Sequence, residues 1–491
     1  MDKQIFQSKE SGLSVAVPGA LRGHEYAHKR YGKLPWAEII RPTIELCRKG
    51  HLVTKSLAKV FKQHEDNLLN SPTLREIFIN PNTNKPYGQG QLVKRLKLAE
   101  TLEIIAKDGV TALYDGRLTA EFVSDIKELG GIITAEDMKQ YKPLWRNPIV
   151  SKLPFNQTLY TIPLPGAGTI LTFILNILSE YLDLDDISKV TNWQRIVESF
   201  KYAYGKRTEL GDPDFVPGIN ELIKNLTSPS YAALIRREIS DTKTYNNPQH
   251  YGAKVVLVED KGTSNIVIIA PNGDAVSVTS TINRFFGAGI RSRSTGIILN
   301  DEMDDFASPN FINSYKLPPS PANFIAPQKR PLSSMSPSII IDEYGEPILV
   351  IGATGGPKIT TSVALVTIRY LWFKQTLENA VNDSRLHHQL FPMRVLFEHD
   401  FQKEIVEGLS RIGHKVFVLL PTDQFVSLTA MSRRNGVAIG ASDTRRGEKV
   451  VLVKEPQTKV QYQLASKCVK VYLEMTSFIV LCIINIIEKY I

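Results

Sequence analysis

With 491 residues, 43% of them hydrophobic and 22% charged, the chain has material for one large domain or two to three ordinary ones, and disorder is set aside. Its net charge of +9 is scattered; the densest basic groups are short, such as Lys94-Arg95-Leu96-Lys97, and lack interleaved aromatics, so no nucleic-acid surface is read from them. Cys47, Cys468 and Cys482, odd in number and widely spaced, build neither a disulfide framework nor a zinc site, and each reads as a buried or incidental thiol.

In chain order, Met1-Asp2-Lys3-Gln4 carries no apolar signal or anchor. Leu92 to Ala106 and Thr119 to Leu129 place apolar residues at helical spacing, and Gly130-Gly131 stops the second. Thr134, followed by Glu136 and Asp137, opens another short helix. Pro163 to Gly168 is a breaker ahead of helices at Thr169 to Leu182 and Trp193 to Tyr204. Near Asp260-Lys261-Gly262 the character changes. Ile266 to Ala270, Asn272-Gly273 and Ala275 to Ile282 read as strand, turn, strand. A second such unit spans Ser338 to Gly352, broken at Glu343-Tyr344-Gly345-Glu346, and a helix follows from about Thr360 to Phe373. A helix-rich first half and a strand-rich second half predict an α+β protein with layered sheets. The sequons at Asn156, Asn225 and Asn382 are candidate glycosylation positions. Phe478 to Ile487 is nearly all apolar but short of the about 20 residues a membrane span needs, so a buried helix or an aberrant sequence end is expected there rather than a tail anchor.

Several chemistries lack their residues. There is no His-Glu-x-x-His, Gly-x-Ser-x-Gly or Walker A loop, and the nine histidines show no ligand spacing. What remains is a set of hydroxyls, carboxylates, an amide and glycines between Gly262 and Gly356. Thr263 opens a strand, where threonine is ordinarily just a β-former.

The order of several motifs adds to this. Gly262-Thr-Ser-Asn-Ile-Val267, Thr279-Ser-Thr-Ile-Asn283, Gly296-Ile-Ile-Leu-Asn-Asp-Glu-Met-Asp-Asp-Phe306, Pro331-Leu-Ser-Ser-Met-Ser-Pro337 and Gly352-Ala-Thr-Gly-Gly356 resemble the small subunit of γ-glutamyltransferases. Upstream, Ser14-Val-Ala-Val-Pro-Gly19, Leu34-Pro-Trp-Ala37, Gly130-Gly-Ile-Ile-Thr-Ala-Glu-Asp137 and Lys206-Arg-Thr-Glu-Leu-Gly-Asp-Pro213 resemble the large subunit, and Ala441-Ser-Asp-Thr-Arg-Arg-Gly447 the closing segment. The resemblance implies an N-terminal-nucleophile hydrolase fold, an αββα four-layer sandwich. It divides the chain into a large-subunit-like region at 1–262, a small-subunit-like catalytic region at 263–450 and an atypical tail at 451–491.

The resemblance also implies that one precursor cuts itself at Gly262-Thr263 into two subunits. The freed α-amine, with an ordinary pKa of about 8, can take the proton from the Thr263 hydroxyl as it attacks an amide carbonyl. Thr281 is then expected to orient the nucleophile. A strict two-residue turn at Asn272-Gly273 sets Thr263 opposite Ile282. A three-residue loop with a bulge is expected instead, setting Thr263 opposite Asn283 with Thr281 diagonal on the same side. Asn283, Glu302 and Asp305 suit the ammonium of a γ-glutamyl group, and Ser333 and Ser334 its carboxylate. Gly355 and Gly356 are expected to offer backbone N–H groups to an oxyanion. The implied donors are glutathione and related γ-glutamyl compounds, with water, an amino acid or a dipeptide as acceptor. The implied location is the extracellular face of the plasma membrane.

Two departures from the family pattern stand out. Asn265 occupies a position that is normally histidine. The family's earlier segment, with its anchor and an arginine that pairs with the substrate carboxylate, lies outside this chain, and Arg22 is not its replacement because the family has a similar arginine there too. A non-catalytic or impaired truncated homologue, and a different amidase such as a cephalosporin-type acylase, are the alternatives.

Overall fold

A computed structural model describes residues 11–255, 262–309, 318–423, 425–446 and 450–451. The apolar run at Phe478 to Ile487, Cys468, Cys482 and nearly all of the expected tail region lie outside the described residues.

The centre is a six-stranded antiparallel sheet. Its strands are β1 (Ile149–Leu153), β2 (Gln157–Thr161), β5 (Ser338–Ile341), β6 (Pro347–Thr354), β7 (Ser427–Arg434) and β8 (Val437–Ser442), in spatial order β8-β7-β6-β5-β2-β1. Strand β2 pairs with β5 from Thr158↔Ile341 to Thr161↔Ser338, so strands from before and after Thr263 share one sheet. Between them in sequence, β3 (Ser264–Ile269) and β4 (Ala275–Ser280) form a hairpin that lies on one face, over β6 and β7. Alternation explains the stacking. Leu349, Ile351 and Ala353 join the main hydrophobic core, while Gly352 faces the hairpin, whose Asn265 side chain fills the space a Cβ would need.

The helices α3 (Gly168–Leu178), α4 (Val190–Arg207) and α5 (Lys358–Thr367) pack in that core with Leu159, Ile340 and Leu349. Every residue of α3 is buried, and each such Leu or Ile contributes about 1.5–3 kcal/mol by leaving water. A second core holds the earlier helices, among them α1 (Trp36–Lys49) and α2 (Leu96–Asp108), and clasps Phe286, Ala288 and Leu299, which follow the hairpin. Cys47 is buried there, and burial pushes its thiol up to about 11.

The sequence-predicted elements are present with shifted ends. Helix α2 begins at Leu96 because Leu92–Val93 pairs instead with His51–Leu52. Thr134 caps Ala135–Gln140 in a reciprocal box with Asp137. The expected single helix after Gly356 starts at Lys358 and runs into a π-helical turn at Ile368–Trp372. Asn156 is exposed at a turn and Asn225 is exposed on a helix, whereas the Asn382 amide donates to the carbonyls of Glu378 and Ser442 at 3.1 and 3.0 Å.

Buried imidazoles, among them His51, His387 and His414, make stability depend on pH. Burial lowers His51 to about 4, and His387 and His414 to about 3. Burial holds His387 neutral, with its ring between the Thr361 hydroxyl at 2.7 Å and the Gln389 side-chain Oε1 at 2.8 Å. Since the folded values lie below the unfolded one, this stability is fully present above pH ~6.5 and is lost as pH falls toward the folded values. Each imidazole is expected to remove about 1.4 kcal/mol per pH unit in that window. Urea midpoints at pH 7.5 and 5 check this, and equal midpoints would contradict it.

Candidate active site

The hairpin turn sets the register of the site. Pro271 enters the loop at a turn position that suits its fixed φ, the Gly273 amide donates to the Ala270 carbonyl at 2.9 Å, and Gly273 takes a left-handed φ of +92°. The loop is therefore the expected three-residue, bulged kind, Pro271-Asn272-Gly273. It takes its extra residue from the Pro271 side rather than from Asp274. Ser264 pairs with Ser280 at the end of the ladder, and the same register continued by one residue sets Thr263 opposite Thr281. The expected pairing of Thr263 with Asn283 is thus corrected, and the two threonines come closer than a diagonal would allow.

Both hydroxyls converge on one atom. Thr263, 4% exposed, donates from Oγ1 to the Gly262 carbonyl oxygen at 2.6 Å, and Thr281 Oγ1 donates to that same oxygen. Thr281 in turn accepts the Asn283 amide at 2.8 Å. Asn283 is 1% exposed, has a left-handed φ of +71°, and donates through Nδ2 to the Asp301 carbonyl at 3.0 Å. Its Oδ1 is buried without a hydrogen-bond partner. Such an acceptor costs about 1–3 kcal/mol unless a donor arrives.

The acidic segment follows from there. Asp301 is fully buried; burial pushes its carboxyl up, while Arg284, bonded to it through the backbone and Nε, pulls it back. Glu302–Asp305 forms a single 3-10 turn of half-buried carboxylates. Asn300 fixes its start by donating to and accepting from the Ala16 backbone at 2.9 and 3.0 Å, which gives the Ser14 to Gly19 motif its place. Arg22 is spent on the carbonyls of Lys139 and Tyr141.

Asn323 was not singled out from sequence, where nothing marks a lone asparagine. It is 3% exposed and donates to the Asp305 carbonyl at 2.7 Å while accepting the Leu332 amide at 3.0 Å. It therefore couples the acidic turn to the residue before Ser333 and Ser334. The Ser333 amide donates to the Pro165 carbonyl at 2.8 Å. Ser334 is 2% exposed, accepts from Arg207 Nη2 at 2.9 Å on Oγ, and accepts the Thr360 hydroxyl on its carbonyl at 3.2 Å.

The glycine turn lies at the same end of the sheets. Arg433 holds the hairpin tip through the Pro271 carbonyl, and Asn265 farther along is bonded by Thr429, so Thr263 lies toward the Thr354↔Ser427 end. There β6 passes into Gly355 and Gly356, at φ +108° and +68°. A side chain on Gly355 would also meet Val426 at 2.8 Å. Arg446 spans this corner, donating to Thr354 Oγ1 at 3.1 Å with its guanidinium 5.7 Å from the Phe285 ring. Asn265 is well satisfied where it stands, since Nδ2 donates to Val278 and Thr279 at 2.9 Å each and Oδ1 accepts from Thr429. It ties the hairpin to the large sheet. A cleft of about 530 Å³ opens between Gly273–Ser277 and the Tyr160, Ile339 and Ile341 face, toward the hairpin tip rather than the Thr263 end. Among the described residues no cluster of three or more His, Cys, Asp or Glu could hold a metal ion, and no helix is long and apolar enough to cross a membrane.

The chain is 44% identical to "Scoloptoxin SSD14" from Scolopendra dehaani over 456 residues, 91% of this chain and 78% of that one. It is 36% identical to glutathione hydrolase proenzyme 2 of Schizosaccharomyces pombe over 449 residues, 91% of this chain and 73% of that one. The fold matches a cephalosporin acylase from Bacillus halodurans with a TM-score of 0.76 at 23% identity, covering 89% of this chain and 78% of that one. That likeness shows that the two chains share one α+β fold. A profile described as gamma-glutamyltranspeptidase spans residues 1–453, and with relatives at this identity over most of their length, the chain belongs to the gamma-glutamyltranspeptidase family.

Proposed function

We propose that this protein hydrolyses or transfers γ-glutamyl groups of glutathione and related compounds, using Thr263 as nucleophile after the Gly262-Thr263 bond is cut. The observation that carries this reading is the Gly262 carbonyl oxygen, which accepts from the hydroxyls of both Thr263 and Thr281. Two donors on one carbonyl polarise it, and Thr263 Oγ1 is adjacent for attack. Attack at the Gly262 carbon moves the acyl group from nitrogen to Oγ; water then hydrolyses the ester and leaves Thr263 with a free α-amine. That amine, with an ordinary pKa of about 8, becomes the base that an intact peptide nitrogen cannot be.

In turnover the amine takes the Oγ proton as Oγ attacks the γ-carbonyl carbon. The N–H groups of the Gly355-Gly356 turn stabilise the oxyanion, and the proton passes to the leaving amine. Water, an amino acid or a dipeptide then accepts the γ-glutamyl group from the Thr263 ester, and no metal or organic cofactor takes part. Asn283 Oδ1, a buried acceptor without a donor, together with Glu302 and Asp305, is suited to the substrate ammonium, and Ser333 and Ser334 to its carboxylate. The relatives named for glutathione hydrolysis favour this donor over a cephalosporin.

The test is the mass and N-terminal sequence of the purified protein's fragments, followed by assay with γ-glutamyl-p-nitroanilide. A fragment beginning at Thr263 and anilide hydrolysis are expected. An intact chain would sink the threonine mechanism and leave a non-catalytic homologue.

A further inference from the structure

Ser334 is held from behind by a buried cation. Arg207, in the last turn of α4, is 5% exposed, and its Nη2 lies 2.9 Å from Ser334 Oγ. A guanidinium only donates, so Ser334 Oγ must be the acceptor in this bond, and its own proton is turned away from Arg207. The serine backbone is equally fixed, by the Thr360 hydroxyl on its carbonyl and by the Ser333 amide on Pro165. Three residues earlier on the same helix, Tyr204 donates to the Pro357 carbonyl. One helical turn therefore backs both the serine pair and the glycine turn.

We propose that Arg207 adds positive charge behind the substrate's α-carboxylate subsite, acting through Ser334 as a positioning residue. Its guanidinium makes the Ser334 hydroxyl a stronger donor and aims it at the carboxylate. This rests on the γ-glutamyl reading above. A hydrogen bond polarised by a charge in a buried site is stronger than a neutral one, and its effect is confined to a ligand group carrying the opposite charge.

The experiment compares two donors with the full chain: γ-glutamyl-p-nitroanilide and 4-aminobutanoyl-p-nitroanilide, which keeps the amine and lacks the carboxylate. In Arg207→Gln the ratio of kcat/KM for the first donor over the second is expected to fall about tenfold, through KM. Arg207→Lys keeps the charge and is expected to recover part of it. In a Ser334→Ala background the Arg207→Gln change is expected to move the ratio little, because its route to the substrate is gone. Equal losses on both donors, or an additive effect in the Ser334→Ala background, would overturn the proposal and leave Arg207 a packing residue. If Arg207→Gln fails to fold, Arg207→Lys with and without Ser334→Ala gives the same decision. A wild-type protein that cleaves both donors equally would instead remove the γ-glutamyl reading itself, and the carboxylate subsite with it.

Discussion

Thr263→Ala is expected to give a chain that stays in one piece and has no measurable amide hydrolysis. The substitution removes the hydroxyl that lies 2.6 Å from the Gly262 carbonyl oxygen, while Thr281 still donates to that oxygen. Polarisation without a nucleophile does not break the bond, so the α-amine is never freed. Nucleophile and base are then lost together, a defect on the order of 10⁶-fold in kcat where such pairs act as a unit. Thr263→Ser keeps the hydroxyl but lacks the methyl that restricts χ1, and is expected to mature more slowly and then to work. Fragment masses and initial rates on the anilide decide it. A Thr263→Ala chain that is still cut at Gly262, or still active, would require another nucleophile.

The second large effect is on stability. Asp443→Ala is expected to cost about 3–5 kcal/mol, the range for breaking a buried ion pair on one side. Asp443 and Arg385 are both fully buried. The carboxylate also accepts the Leu428 and Arg445 amides, each at 2.9 Å. Burial opposes its charge, but Arg385 and Arg445 prevail and hold it below the usual carboxylate range. Removing it strands the Arg385 guanidinium in the core and loosens β7 at Leu428, beside the Thr354↔Ser427 end of the site. The urea midpoint measures the loss, and Asp443→Asn, which keeps an acceptor, is expected to fall between. A shift under about 1 kcal/mol would mean that the pair contributes no more than a surface bridge.

Much of this architecture is written locally in the chain. The Asn272-Gly273 turn, the Thr134 cap and the breaker at Pro163 to Gly168 specify backbone conformations within a few residues, and each element stands where its pattern puts it within a few positions. The register of the hairpin was less legible, because Pro271 and Asp274 both flank the Asn-Gly pair and only the closed turn shows which one joins the loop. The partners of the site residues were harder still. Arg207 and Ser334 are 127 positions apart, and Asn300 and Ala16 are 284 apart, so no spacing rule brings them together. Asn323 belongs to the same class; its importance lies in two backbone groups it bridges, which no composition or periodicity records. Asn265 shows the converse, a departure from the family pattern that the surrounding Thr279, Thr429 and Gly352 accommodate with its amide fully used.

The sheet that runs β8-β7-β6-β5-β2-β1 has a bearing on what a cut at Gly262 would produce. The new ends would separate two polypeptides whose strands remain edge to edge, with Thr158 to Thr161 of one laced to Ser338 to Ile341 of the other. Neither piece would own a complete core, since Leu159 and Phe200 from the first and Ile340 and Leu349 from the second fill the same interior. Such a pair has no meaningful dissociation constant. Dilution would not part it, and the two pieces would melt in a single transition, behaving as one folding unit with an interruption in its thread.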